Sequence, residues 1–402
     1  MIGLIFITWY RKKNKLMKYS KEAIELEYYI KENISPVHYK IKNLKKHFEI
    51  RNSLYRLLGI IPNFLKGKDI LEVAPGSGHN SIYTATLLPK SYDLVEPNPK
   101  GCKDIIKIFK TFNLKHTKPK LYKQKLDFFK SDKLYDLVIT EGWPGGHLKY
   151  DKKMFKKLSE FVKPGGLLFM TFLPPIGAIS TYLRRLMGYR VLNNCENLKK
   201  KTDILRETFV KHLNQMKSMS RSHEHWIQDS LLNPYIVVGY NTPSICLKIF
   251  GKKFEIFSSV PKLSNDWRWY KSIHGKDKLF NEIFLNDYYL KCHSLIDYNI
   301  NGFERSFKKN KALEKLSIKL SLLTRDYENK GLKYYRSRIR PVLLKIIKNI
   351  QNDLPKNTVK ALMEADYILN KNIIKSNEIK SAKNFSNLFG REQCYLTLTR
   401  KI

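Results

Sequence analysis

Residues 69–80 read Asp69-Ile70-Leu71-Glu72-Val73-Ala74-Pro75-Gly76-Ser77-Gly78-His79-Asn80. A short apolar run carrying one acid is closed by a Gly-x-Gly turn and followed at once by a helix-compatible stretch. About twenty residues on, a second apolar run, Tyr92-Asp93-Leu94-Val95, ends at Glu96. Two such runs with a helix between them pair as parallel strands, and their joint edge is where nucleotide cofactors bind. Gly76 and Gly78 have no Cβ, so the chain there can turn tightly and approach a ligand. A carboxylate just past the second strand can accept from both hydroxyls of a ribose. Standing at a strand end and not in a core, Glu96 is expected to be dispensable for folding.

The alternation continues. Strands are expected at 69–73, 92–96, 121–126, 135–140 and 167–171. Helices are expected from Gly78, over Cys102–Phe112 and over Lys152–Val162, with a turn at Lys163-Pro164-Gly165-Gly166. Near-continuous apolar strands separated by helical patterns give a parallel sheet covered on both faces. The residue three after Gly78 is Ser81, so the third glycine of the dinucleotide fingerprint is absent, which speaks against a nicotinamide enzyme. No Gly-Lys-Ser/Thr follows either, which excludes a Walker phosphate loop.

Glu72-x-Ala74-x-Gly76-x-Gly78 resembles the first motif of class I S-adenosylmethionine-dependent methyltransferases, Glu/Asp-x-Gly-x-Gly-x-Gly, with Ala74 in place of the first glycine. The Lys163–Leu168 turn and the C-terminal run Phe389–Arg400, whose residues 394–399 alternate with a strand's period of two, fit the same family. The resemblance implies an α/β fold: a Rossmann-like doubly wound seven-stranded sheet with an antiparallel last strand, plus N-terminal helices and two helical insertions. The expected organisation is an N-terminal helical segment at 1–63 and a cofactor-binding core at 64–174. A helical insertion (a possible lid) at 175–235 follows, then the core again at 236–261, a second helical insertion at 262–388 and the final core strand at 389–402. Strand six is expected at 254–259 after a helix at 244–250, and strand seven at about 393–400.

By the same resemblance Glu72 and the loop bearing Ala74, Gly76 and Gly78 hold the methionine part of S-adenosylmethionine. Glu96 grips the ribose, Asp127 accepts from the adenine amino group, and Phe128 stacks on the ring. Methyl transfer is an in-line displacement that needs alignment and, for a hydroxyl acceptor, a base. Candidate catalytic residues are Glu141, after strand four, and His147, in the glycine-rich loop Gly142–His147. His223 and His225 are two apart and would not share a helix face, so no metal site is expected. Asp266-Trp267-Arg268-Trp269-Tyr270 is a dense polar–aromatic cluster. It reads either as a buried aromatic corner around an ion pair or as a wall that binds the acceptor. The loop after strand four lacks the Asn/Asp-Pro-Pro-Tyr pattern of enzymes that methylate DNA bases.

The expected acceptor is an oxygen or nitrogen of a small molecule or glycan sugar. The alternatives are RNA, or a non-catalytic binding role on the same scaffold. The formal charge of +39 bears on this choice. Its lysines are spread along the chain without an arginine-rich stripe, so non-specific polyanion binding at low salt is expected. Five scattered cysteines form no CxxC pair, which argues against zinc or a disulfide framework and fits a reducing cytoplasm. The apolar run Met1–Tyr10, followed by Arg11-Lys12-Lys13, is too short to span a bilayer. It is either a weak interfacial anchor or a segment upstream of a true start at Met17.

Overall fold

The computed structural model describes residues 24–35, 41, 43–114, 117–142, 148–192, 195–217, 219, 221–234, 242–250, 253–327 and 330–402. The N-terminal run, Met17 and His147 lie outside the described residues.

A seven-stranded sheet organises the chain. Its strands are β1 Asp69–Val73, β2 Ser91–Val95, β3 Lys120–Tyr122, β4 Tyr135–Thr140, β5 Val162–Phe172, β6 Phe254–Val260 and β7 Cys394–Arg400. They lie in the order β3-β2-β1-β4-β5-β7-β6. The first five pair in parallel, while β7 runs antiparallel to both β5 and β6. This is the Rossmann-like sheet with an antiparallel last strand that the resemblance implies.

Alternation along the strands divides the apolar residues between two faces. Ile70, Leu94, Leu137, Ile139 and Phe169 point to one side, with Tyr55, Leu58 and Tyr83 packed on them. Leu71, Val73, Val138, Leu168, Met170 and Phe172 point to the other, into a larger core. Among the described residues three helices precede the sheet: α1 Ile24–Lys31, α2 Leu44–Leu57 and α3 Pro62–Leu65. The crossovers carry α4 Ser81–Thr86, α5 Pro99–Thr111 and α6 Leu148–Glu160.

Between β5 and β6 come α7 Ile179–Leu192, α8 Leu198–Leu213, α9 His223–Trp226 continuing into a π-helical turn at Ile227–Leu232, and α10 Pro243–Phe250. Between β6 and β7 come α11 Phe280–Lys291, α12 Phe307–Arg325, α13 Gly331–Tyr334, α14 Arg340–Ile350, α15 Lys356–Leu369 and α16 Ser376–Lys380. The two helical runs pack on each other. Thr208 in α8 bonds Ser376 at 3.0 Å, the His212 ring meets the Ile379 carbonyl at 2.8 Å, and Arg190 donates to the Leu369 carbonyl at 3.0 Å.

Several elements differ from expectation. α4 starts at Ser81 and not at Gly78, and α6 runs Leu148–Glu160 and not Lys152–Val162. β3 stops at Tyr122 and not at Leu126, because Lys123, Gln124 and Lys125 break the apolar run on an edge strand; Leu126–Phe128 forms a 3-10 turn instead. β5 begins at Val162, so the expected turn at 163–166 is part of the strand, with a register shift opposite Tyr135 and Leu137. α5 starts at Pro99, earlier than Cys102, because Asn98 caps it: its side chain accepts from the Lys100 amide, and Pro99 occupies the first turn.

At the carboxyl edge of β5 two backbone segments cross almost in contact. A Cβ on Gly177 would stand 2.0 Å from the Arg391 carbonyl oxygen, and one on Gly390 would stand 2.1 Å from the Gly177 carbonyl oxygen. Gly302, by contrast, has no atom within 4 Å of such a Cβ. Gly177→Ala is therefore expected to lower the unfolding free energy by at least about 2 kcal/mol in urea denaturation, and Gly302→Ala to change it by less than about 0.5 kcal/mol.

Candidate functional site

The site lies beyond the carboxyl ends of β1, β2 and β4, where the chain leaves the sheet. β1 delivers Glu72 one residue before its end, and the turn Ala74–Gly78 follows. Three of its residues have left-handed backbone: Ala74 at φ +57°, Gly76 at +61° and Gly78 at +75°. Glycine holds such angles freely, whereas alanine is disfavoured there by about 1–2 kcal/mol. The alanine that replaces the motif's first glycine thus keeps glycine's conformation. A Cβ on Gly78 would meet Ile105 of α5 at 2.9 Å, so this glycine also lets α5 close on the turn.

Glu96 joins the turn to the second strand. One carboxylate oxygen accepts from the Gly76 amide at 2.8 Å, the other from the Asn98 amide at 2.8 Å. The side chain is buried, and a Cβ on Gly101 would press on both it and the Gly76 carbonyl. The expectation that Glu96 is dispensable for folding is corrected here, because it satisfies two buried amides that water cannot reach. Burial pushes its carboxyl up to about 7, against the pull of those two donors. Glu72 is likewise buried and pushed up to about 7 by burial, while the Tyr92 hydroxyl donates to it.

Glu141 follows β4. Arg51 of α2 donates from Nη1 to its Oε1 at 2.9 Å, and Nη2 stands 2.8 Å from Oε2. Tyr395 of β7 donates to Oε1 at 3.3 Å. Both charged side chains are almost fully enclosed, at 6% and 10% exposure. A carboxylate gripped from two sides in this way is an anchor between α2, β4 and β7, with both hydrogen bonds on Oε1, and Oε2 held only by the ion pair. His147, the other candidate base, lies outside the described residues.

Asp127 sits in the 3-10 turn beyond β3, half-buried, with Lys153 of α6 donating to Oδ1 at 2.9 Å. Phe128 beside it is 70% exposed, leaving its ring face free. The structure therefore gathers Glu72, Ala74, Gly76, Gly78 and Glu96 into one turn-and-strand unit. Asp127 and Phe128 stand at the edge-strand side of it, and Glu141 stands on the β4 side. His223 and His225 lie on the short α9, and the described residues contain no cluster of His, Cys, Asp and Glu suited to a metal ion.

Sequence reasoning placed α2 within the N-terminal helical segment but missed its part in the site. Its residues His47, Arg51 and Tyr55, each four apart, line one helix face. The His47 ring meets the His79 carbonyl at 2.9 Å, Arg51 holds Glu141, and Tyr55 shares a 2.6 Å bond with Thr84. His79 in turn bonds Ser77 at 2.6 Å. The signal was present as polar residues at helical spacing within an apolar stripe. Farther forward, the Ile34 carbonyl accepts from Asn98 at 2.9 Å, which brings the end of the first helical segment over the β2 tip.

No family model matches the sequence, and no curated protein matches it. Similar solved structures are all methyltransferases. A magnesium protoporphyrin IX methyltransferase from Synechocystis has 16% identity and a TM-score of 0.31, over 38% of this chain and 76% of that one. An S-adenosylmethionine-dependent methyltransferase from Clostridium acetobutylicum has 21% identity and a TM-score of 0.28, over 39% and 58%. The N-methyltransferase NodS from Bradyrhizobium japonicum has 15% identity and a TM-score of 0.28, over 34% and 74%. A Thermoplasma acidophilum protein named as a methyltransferase, at 26% identity and a TM-score of 0.24, is spanned over half of its length. With TM-scores of this size, the fold class rests on the strand order and turn geometry described above.

Two outcomes are expected. Ala74→Gly should raise the unfolding free energy by about 1 kcal/mol in urea denaturation, by removing the left-handed alanine. Arg51→Met should lower it by about 3–5 kcal/mol by stranding Glu141, and the double variant Arg51→Met/Glu141→Gln should regain most of that loss.

Proposed function

We propose that this chain is an S-adenosylmethionine-dependent methyltransferase acting on an oxygen or nitrogen of a small molecule or glycan sugar. The observation that carries the reading is the unit of Glu72, the left-handed Ala74–Gly78 turn and Glu96 at the mouth of adjacent parallel strands. The residues fit the cofactor. Glu72 and Glu96 are buried carboxylates without an ion-pair partner among the described residues, so a cationic ligand would restore to them the charge that burial opposes. Each Glu96 oxygen accepts one backbone amide and has a further lone pair for a ribose hydroxyl. The exposed Phe128 ring and the Asp127 carboxylate suit an adenine.

When bound, S-adenosylmethionine supplies an activated methyl group and its own leaving group. The chain then has to orient and to exclude water. The Ala74–Gly78 turn would present backbone to the methionine part, Glu72 would accept from the ammonium, and Glu96 would hold the ribose. Glu141, locked by Arg51 and Tyr395, holds the wall at the β4 side and is proposed as a positioning residue. Proton removal from a hydroxyl acceptor is proposed for His147, which the sequence places six residues beyond Glu141.

Titration calorimetry with S-adenosylmethionine, its demethylated product and NAD in parallel tests the reading. Micromolar binding of the first two and none of NAD is expected; binding of NAD alone would overturn it. The pH dependence has a definite sign. Glu72 and Glu96 have folded values near 7, above the ordinary 4.5. Their contribution to stability without ligand is therefore present below about pH 4.5 and is lost as pH rises through about 7. The cation binds the ionised form, so affinity for S-adenosylmethionine should rise with pH through about 7 and level off above. Glu72→Gln should weaken binding and flatten that rise; an unchanged profile would remove Glu72 from the site.

A further inference from the structure

The polar–aromatic cluster after β6 is not a buried corner. Trp267 is 93% exposed, Trp269 65% and Tyr270 71%. They form the outermost part of the segment that leads from β6 to α11.

Their exposure has a local cause. Asp266 and Arg268 fold back on each other: the Arg268 amide and Nε donate to Oδ1 at 3.0 and 2.9 Å, and Nη2 donates to Oδ2 at 2.6 Å. Arg268 also donates to the Asp277 carbonyl and lies 5.8 Å from the centre of the Phe280 ring. Asp266 and Arg268 spend their polar groups on this local pair, itself only partly covered at 27% and 30% side-chain exposure, and the rings at 267 and 269 take no part in it. A 3-10 turn at Tyr270–Ser272 then fixes the third ring. Lys271 stands 5.6 Å from the Trp269 ring centre and 5.9 Å from that of Tyr270. Lys276 and Lys278 are exposed beside it, as are the apolar side chains of Leu279 and Phe280.

Two tryptophans, a tyrosine and lysines held in a rigid outward loop match the chemistry of a bilayer's interfacial zone. Aromatic rings settle at headgroup level there, and lysines reach anionic phosphates. Charge complementarity favours the same partner, because the chain carries +39 and an anionic surface attracts each nearby lysine by about 1 kcal/mol. A separate segment of the sequence repeats the pattern: the apolar run Met1–Thr8 ends in Trp9-Tyr10-Arg11-Lys12-Lys13. Stable attachment to a membrane surface takes two such weak signals, and neither needs to span the bilayer. Among the described residues no helix is long and apolar enough to cross a membrane.

We propose that Trp267, Trp269 and Tyr270, with Lys271, form an insertion loop that docks the protein on an anionic lipid surface.

The test is co-sedimentation of the full chain with phosphatidylcholine vesicles with and without an equal share of phosphatidylglycerol. Tryptophan quenching by brominated lipid is measured in parallel. The full chain should bind the anionic vesicles, and its emission should be quenched. Trp267→Ser/Trp269→Ser should lose about tenfold in partitioning and most of the quenching, with circular dichroism and binding of S-adenosylmethionine unchanged. A Lys271→Gln variant should lose less, and only at low salt. Equal vesicle binding by the double variant would overturn the proposal. So would a loss confined to binding of single-stranded RNA, which would assign the rings to base stacking.

Discussion

The candidate site depends on one buried carboxylate. Glu96 sits between the amide of Gly76, in the turn after β1, and the amide of Asn98, at the start of α5. Parallel strands leave their carboxyl-end turns without sheet partners, and those turns must be satisfied by something other than the ladder. Here a single side chain satisfies two of them and couples them. The turn cannot open without breaking the cap region of α5, and α5 cannot shift without dragging Gly76. Rigid placement of backbone donors beside a ligand space follows from this coupling and not from the glycines alone, which permit the turn but do not hold it.

How far the sequence carries the reading depends on how local each cause is. β1, β2 and β4 were legible because each is a short apolar run with a breaker after it, and burial on both faces allows no other pattern. The turn was legible from Gly76 and Gly78. The left-handed state of Ala74 was not, since alanine in general avoids it and only the surrounding pairing, including its amide to the Val95 carbonyl at 2.8 Å, holds it there. β3 was overextended because Leu121 and Leu126 look like one strand; three intervening polar residues on an edge decided otherwise. The Arg51–Glu141 pair was beyond sequence reasoning, because its partners are 90 residues apart and nothing local ties Arg51 to Glu141.

Exposure at the Trp267 loop shows the same limit from the other direction. Aromatic residues near an Asp and an Arg suggest a buried corner, since rings bury well and ions pair. The structure separates the two tendencies. The ion pair forms between residues two apart as a local, partly exposed clamp, and the rings stand outside it. Composition alone cannot rank these arrangements, because both satisfy the charges and only tertiary placement fixes which side faces solvent.

The two helical insertions act on the site through packing. Arg184 of α7 is wholly buried: it donates to the Phe385 carbonyl at 3.1 Å, and its guanidinium lies 3.7 Å from the Phe389 ring centre. Burial lowers it to about 9. Phe389 directly precedes Gly390, whose backbone lies against Gly177, and four residues later β7 begins beside β5. The second insertion is thus clamped to the first by a guanidinium between aromatic rings, at the edge where the sheet meets the ligand space. A free lid would need a hinge with few buried contacts. This junction has the opposite character, and so does the α2 side, where Tyr55 and Leu58 pack in the core and Arg51 is enclosed against Glu141.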